Sequence, residues 1–149
     1  MNVETRPLMT LEVEVGKPAA IDPGAHGRRF IPITGGRITG GFSGSVVPGG
    51  ADWQVTWPDG RLELEARYAL DVDGHGLVEV LSQGVRHGPP DVLGALARGE
   101  AVDPALYYFR TSMRFRTAAP GLLRLNAILG LARGQRDKSI VKLAVFEVL

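Results

Sequence analysis

The chain has 149 residues, seventeen basic against sixteen acidic side chains, and no cysteine. That length builds one domain, residues 1–149, with a core that needs no staples. The composition rules out disulfides and thiolate metal sites. A formal net charge of +1 argues against a nucleic-acid partner, because phosphate binding needs a clear basic excess. No apolar run reaches the length that spans a bilayer, and the N-terminus lacks the basic-then-apolar layout of a signal peptide. The expectation is a cytoplasmic protein with no membrane partner.

The chain opens with a strand over 8–15, where Leu11, Val13 and Val15 alternate with Thr10, Glu12 and Glu14. A polar loop with two prolines follows over 16–27. Residues 28–33 read as a second strand, in which Pro32 suggests an edge or a bulge. Gly35-Gly36 is expected to turn the chain into a glycine-rich strand over 37–47, and Pro48-Gly49-Gly50 to turn it again. Residues 52–57 then alternate without a break. Asp52, Gln54 and Thr56 share one face, and Trp53, Val55 and Trp57 share the other.

Pro58-Asp59-Gly60 marks a tight turn into the most regular strand, over 61–70. There Leu62, Leu64, Ala66, Tyr68 and Leu70 oppose Arg61, Glu63, Glu65 and Arg67. Asp73-Gly74 is a hairpin signal, with a return strand over 77–83 and a link over 83–90. Pro89-Pro90, the apolar stripe Val92, Leu93 and Leu96, and Gly99 predict a helix over 90–98 that packs on one barrel opening.

A strand over 107–115 sets Tyr107, Phe109, Met113 and Phe115 against Tyr108, Arg110 and Arg114. Residues 122–131 read as a strand with a helical turn near Leu123, and 140–148 as the closing strand. The basic residues Arg124, Arg133, Arg136 and Lys138, interrupted by Asp137, read as a solvated loop. Many short strands with a single helix predict an all-β fold, an antiparallel barrel of about eight strands that can hold one small ligand.

Three strands back an apolar face with a polar one. Asp52 and Gln54, Glu65 and Arg67, and Tyr108 and Arg110 are the members. Such faces either meet water, as alternation usually means, or line the lumen, where a buried charge needs a partner. His26 and His75 lie in glycine-rich loops and are expected in solvent. Of the three, His87 is the histidine better suited to acid–base work, beside the reading that it fixes the helix entrance. No metal-ligand spacing and no phosphate loop occur, so neither metal nor cofactor is expected.

The runs Gly27-Arg28-Arg29-Phe30-Ile31-Pro32-Ile33-Thr34-Gly35-Gly36, Pro48 to Gln54, Asp59-Gly60, Leu64 to Tyr68, Gly84 to Pro90 and Asp103 to Thr111, with Asn126 and Val145 to Val148, resemble domain of unknown function 3237. This is an uncharacterised bacterial protein family. The resemblance implies a compact barrel like those of allene oxide cyclase-like proteins, without an assigned activity. It maps the family's Asp-Trp-Gln, acid-x-Arg-Tyr and Tyr-Phe-Arg pieces onto Asp52, Trp53, Gln54, Glu65, Arg67, Tyr68, Tyr108 and Arg110. The second acid, often Asp in the family, is Glu65 here. The resemblance favours the lumen reading.

The leading functional reading is a cofactor-free isomerase, cyclase or lyase acting on a small aromatic or carbonyl metabolite. Asp52 or Glu65 would act as base and Tyr108 or His87 as proton donor. Arg67 and Arg110 would hold an anionic oxygen, with Gln54 also in contact and Trp53 walling the pocket. Two alternatives stand beside it: a non-catalytic small-molecule-binding barrel, and a structural protomer of a homodimer.

Overall fold

The computed structural model describes every residue except Pro23, Ala25 and His26, so the expectation for His26 lies outside the described residues. Nine strands form one antiparallel sheet: β1 (Thr5–Val15), β2 (Ala19–Asp22), β3 (Arg28–Thr39), β4 (Gly44–Thr56), β5 (Leu62–Val72), β6 (Gly76–His87), β7 (Tyr108–Arg116), β8 (Gly130–Asp137) and β9 (Ile140–Val148). Their order is β1-β9-β8-β7-β6-β5-β4-β3-β2, and β1 also pairs with β3. That pairing closes eight strands into a barrel and leaves β2, a short strand within the expected loop, outside on β3. Closure removes the edges of the eight. No described helix is long and apolar enough to cross a membrane.

Two expected turns are interior kinks instead. Gly35-Gly36 lies within β3 at the seam with β1, at φ +155° and +135°. A Cβ on Gly36 would lie 2.0 Å from the Glu12 carbonyl oxygen, so only glycine lets the two backbones close the barrel here. Pro48-Gly49-Gly50 is a bulge within β4, its three residues opposite the single residue Tyr68. The slip is even, so Val46 before it and Gln54 after it both point inward. A Cβ on Gly50 would lie 2.5 Å from the Arg67 carbonyl oxygen and 2.6 Å from the Tyr68 Cβ. Gly50→Ala is therefore expected to cost about 1–3 kcal/mol by overpacking, read as a lower urea midpoint.

One half of the lumen is solid core. Leu11, Ile38, Leu70, Val78, Val80, Met113, Phe115, Leu125 and Val145 are among its buried side chains. Leu122 and Leu125 enter that core beside a 3-10 turn over Leu123–Ala127, the helical turn expected near Leu123, and β8 begins only at Gly130. Arg124 is not free in solvent: it reaches nearly buried Glu147 at 3.1 Å, and Arg6 holds the same carboxylate at 2.9 Å.

The other half is smaller. The helix α1 (Pro90–Ala97) begins on Pro90, and the Gly99 backbone N–H, at φ +75°, closes it on the Leu96 carbonyl at 3.0 Å. Its Val92, Leu93 and Leu96 pack on Leu62, Leu64, Tyr107 and Phe109. The helix thus sits where the stripe predicted, at the barrel end where β4, β6 and β8 finish.

Candidate functional site

On β4 the two-residue spacing of Asp52 and Gln54 points both side chains to the lumen. Their ladder partners are Ala66 and Leu64, which are also buried there. The Gln54 amide donates to Asp52 Oδ2 at 2.7 Å, and Arg29 Nε donates to Gln54 Oε1 at 2.8 Å. Arg29 stands directly opposite Gln54 on β3, so one rung of the sheet sets guanidinium against amide, and the amide reaches the carboxylate two residues along β4. Arg86, near the end of β6, and Arg136, near the end of β8, complete the polar end. Arg136 was expected in a solvated loop. Instead its backbone N–H donates to Tyr107 Oη at 2.9 Å and the residue lines the cavity.

The cavity between these groups measures about 40 Å³ and is lined by Asp52, Gln54, Tyr68, Arg86, Thr111 and Arg136 against an apolar wall that includes Leu62, Leu64, Phe109 and Val141. At about 10–15 Å³ per water it has room for a few waters or a small ligand fragment. Four of its lining atoms are buried without a hydrogen-bond partner among the described residues: Asp52 Oδ1, Tyr68 Oη, Arg86 Nε and Thr111 Oγ1. Buried polar atoms are rarely left unpaired, because each costs about 1–3 kcal/mol. Their convergence gives one cavity four buried polar atoms with hydrogen-bonding capacity to spare.

The electrostatics follow from burial. Desolvation raises the Asp52 carboxyl from 3.8 to about 6, although the Gln54 amide and then the charges of Arg29, Arg86 and Arg136 pull it down. Desolvation lowers Arg86 to about 10, helped by repulsion from Arg136 and Arg29. Arg29 and Arg136 are lowered in the same direction, first by burial. Burial, then the charge of Asp52, pushes the Tyr68 hydroxyl upward. Tyr68 therefore holds its proton and can donate, while Asp52 exchanges one near neutrality. Among the described residues no group of three His, Asp or Glu is placed to hold a metal.

The sequence-derived candidates divide sharply. Asp52 and Gln54 enter the lumen; Glu65, Arg67, Tyr108, Arg110, Trp53 and His87 do not. Ladder partners share a face, and Ala66, the partner of Asp52, points in, so Glu65 and Arg67 on either side of it point out. Glu65 accepts from the Gln83 amide at 2.7 Å on the outer surface. Trp53 is 46% exposed and its ring lies 5.0 Å from that of Phe30. Tyr108 is 56% exposed, with the Arg110 guanidinium 5.1 Å from its ring centre. His87 is exposed opposite Tyr108. Asp52, Glu65, Arg67 and Arg110 therefore share no cavity. His75 is exposed, as expected.

The groups that do act on or with Asp52 are Arg29, Arg86, Arg136 and Tyr68, with Tyr107 acting on Arg86 and Arg136. Arg29, Arg86 and Tyr68 lie within the runs that carry the family resemblance, and periodicity links Tyr68 and Tyr107 to the apolar faces of their strands. With Arg67 on the outer surface, Arg67→Met is expected to change stability by no more than about 0–1 kcal/mol. Thermal unfolding from pH 5 to 8 should track that of the wild type throughout.

The family model described as "Protein of unknown function (DUF3237)" matches residues 3–148. The chain belongs to this family. A UPF0311 protein of Rhodopseudomonas palustris is 40% identical over 149 residues, spanning 99% of this chain and 97% of that protein. A crystal structure of a Rhodopseudomonas palustris protein of unknown function superposes with a TM-score of 0.93 at 39% identity, covering 100% of this chain and 99% of the other. A Clostridium acetobutylicum protein superposes at 0.86 with 32% identity, covering 99% and 100%. The fold reaches beyond DUF3237-like sequence similarity to an enzyme from Penicillium herquei, at a TM-score of 0.71 and 16% identity over 100% and 96% of the two chains.

Proposed function

We propose that the polar end of the barrel is a cofactor-free acid–base site for a small carbonyl-bearing or aromatic metabolite, of the isomerase, cyclase or lyase kind. The observation that carries this reading is the convergence of Asp52 Oδ1, Tyr68 Oη, Arg86 Nε and Thr111 Oγ1, all buried and without a partner among the described residues, on one cavity. A carboxyl near pKa 6 beside a tyrosine that keeps its proton is a matched pair. Ionised Asp52 takes a proton from carbon next to a carbonyl. Tyr68 donates a hydrogen bond to the oxygen on which charge develops, and the guanidinium field of Arg86 favours that charge. Return of the proton from Asp52 to a different carbon or to a leaving group completes an isomerisation or an elimination. The apolar wall keeps water from the intermediate.

The test is deuterium exchange into enolisable aryl ketones and keto acids in D2O, followed by proton NMR. The reading predicts exchange above the buffer rate that climbs with pH through about 6, where Asp52 ionises, and then levels. Compounds that raise the unfolding temperature yet exchange no faster than in buffer would instead identify a non-catalytic binding barrel.

A further inference from the structure

The guanidinium count at this site exceeds what its single acid can neutralise. Arg29, Arg86 and Arg136 all act electrostatically on Asp52, and no described carboxylate forms an ion pair with any of the three. Arg29 spends its Nε on Gln54, and Arg136 directs its own to the Lys138 carbonyl at 2.6 Å. Arg86 makes no such bond among the described residues, and its Nε is buried in the wall of the cavity. Arg86 is the most deeply set of the three and Arg29 and Arg136 are half-buried, so positive charge partly withdrawn from water favours an anion beside it.

Resting on the lumen site proposed above, we infer that its ligands carry a carboxylate, seated between Arg86 and Arg136, with an apolar body against Leu62, Leu64, Phe109 and Val141. A planar carboxylate matches a guanidinium fork with two parallel hydrogen bonds. At about 40 Å³ the chamber encloses only part of a flat organic acid, and its largely apolar wall suits such a body better than inorganic phosphate. The arginines then hold the charged end and fix orientation, Arg86 also favouring the charge that develops at the carbonyl, while Asp52 and Tyr68 do the chemistry.

Benzoate and its neutral counterpart benzamide test this by calorimetric titration at pH 7.5. The proteins are the wild type, Arg86→Met, Arg136→Met and Asp52→Asn. Benzoate should bind the wild type at least tenfold more tightly than benzamide. It should weaken at least tenfold in both arginine variants and bind Asp52→Asn as well as the wild type or better, since a nearby negative charge is gone. Inorganic phosphate at equal concentration should not displace it. Absence of benzoate binding to the wild type, equal affinity for benzamide, full affinity in either folded arginine variant, or equal displacement by phosphate would overturn the inference. Circular dichroism of each variant establishes that the barrel is folded, and either arginine variant alone suffices. Failure of the proton-transfer reading shows separately: benzoate would bind as described while no ketone exchanges.

Discussion

Asp52→Asn is expected to make the folded barrel more stable, by about 3 kcal/mol at pH 7 and above, while removing proton exchange. The magnitude follows from the displacement of the carboxyl from 3.8 to about 6, at roughly 1.4 kcal/mol per unit. The sign follows from which state holds the proton more tightly. Below about pH 4 the carboxyl is protonated in both the folded and unfolded chains and contributes no difference. Between about 4 and 6 the unfolded chain has released the proton and the folded one has not, so wild-type stability falls as pH rises. Above about 6 both are ionised and the full cost of the buried charge is present. Asparagine has no charge to bury. Its side-chain oxygen can keep the Gln54 amide bond, which Arg29 holds in its present orientation. Urea unfolding at several pH values should therefore give two curves that meet near pH 4 and diverge up to about pH 6. Other titrating groups, such as Glu12 and Glu147, cancel in the difference. Parallel curves across the whole range would mean that Asp52 is not desolvated, and the acid–base reading would lose its base.

Tyr68→Phe separates chemistry from packing in a second way. Tyr68 is 4% exposed, and its hydroxyl has no partner among the described residues. Removing an unsatisfied buried hydroxyl while keeping the ring should leave stability unchanged or raise it by about 1–2 kcal/mol. Exchange, in contrast, should fall by about 10²–10³, the usual effect of deleting one donor to a developing oxyanion. The pH dependence of stability contributed by Asp52 should persist, because no hydrogen bond between Tyr68 and Asp52 is lost. Unchanged exchange in Tyr68→Phe would assign the ring to the core alone and leave the oxygen to Arg86 and Thr111.

Both variants depend on the same design feature: the barrel tolerates unsatisfied polar atoms at one end because the opposite half is densely packed. Leu11, Leu70, Val78, Val80 and Met113 are fully buried. Each such side chain contributes about 1.5–3 kcal/mol, so a few unpaired atoms near Asp52 can be sustained without unfolding.

Alternation in the sequence determined most of the architecture. The period of two in residues 61–70 and 107–115, the Asp73-Gly74 turn and the Pro-to-Gly frame of the helix are local properties, and local geometry enforces them. That Asp52 and Gln54 share one face was legible for the same reason: both are polar and two apart on one strand. Which faces meet inside was not legible, because it depends on register between strands. On β5 the apolar face turns inward, whereas on β4 the lumen receives Asp52 and Gln54 while Trp53 turns outward against Phe30. Polarity alone grouped Asp52 with Glu65 and Arg67; the ladder pairs it with Ala66 and places both of the others outside. The glycine kinks show the same limit, since Gly36 and Gly50 read as turns until a neighbouring strand's carbonyl lies where their Cβ would be. Only closure of the barrel brings Arg29, Arg86 and Arg136, from three strands far apart in the chain, around one buried carboxylate. A pKa near neutrality arises from that enclosure, which no stretch of sequence contains by itself.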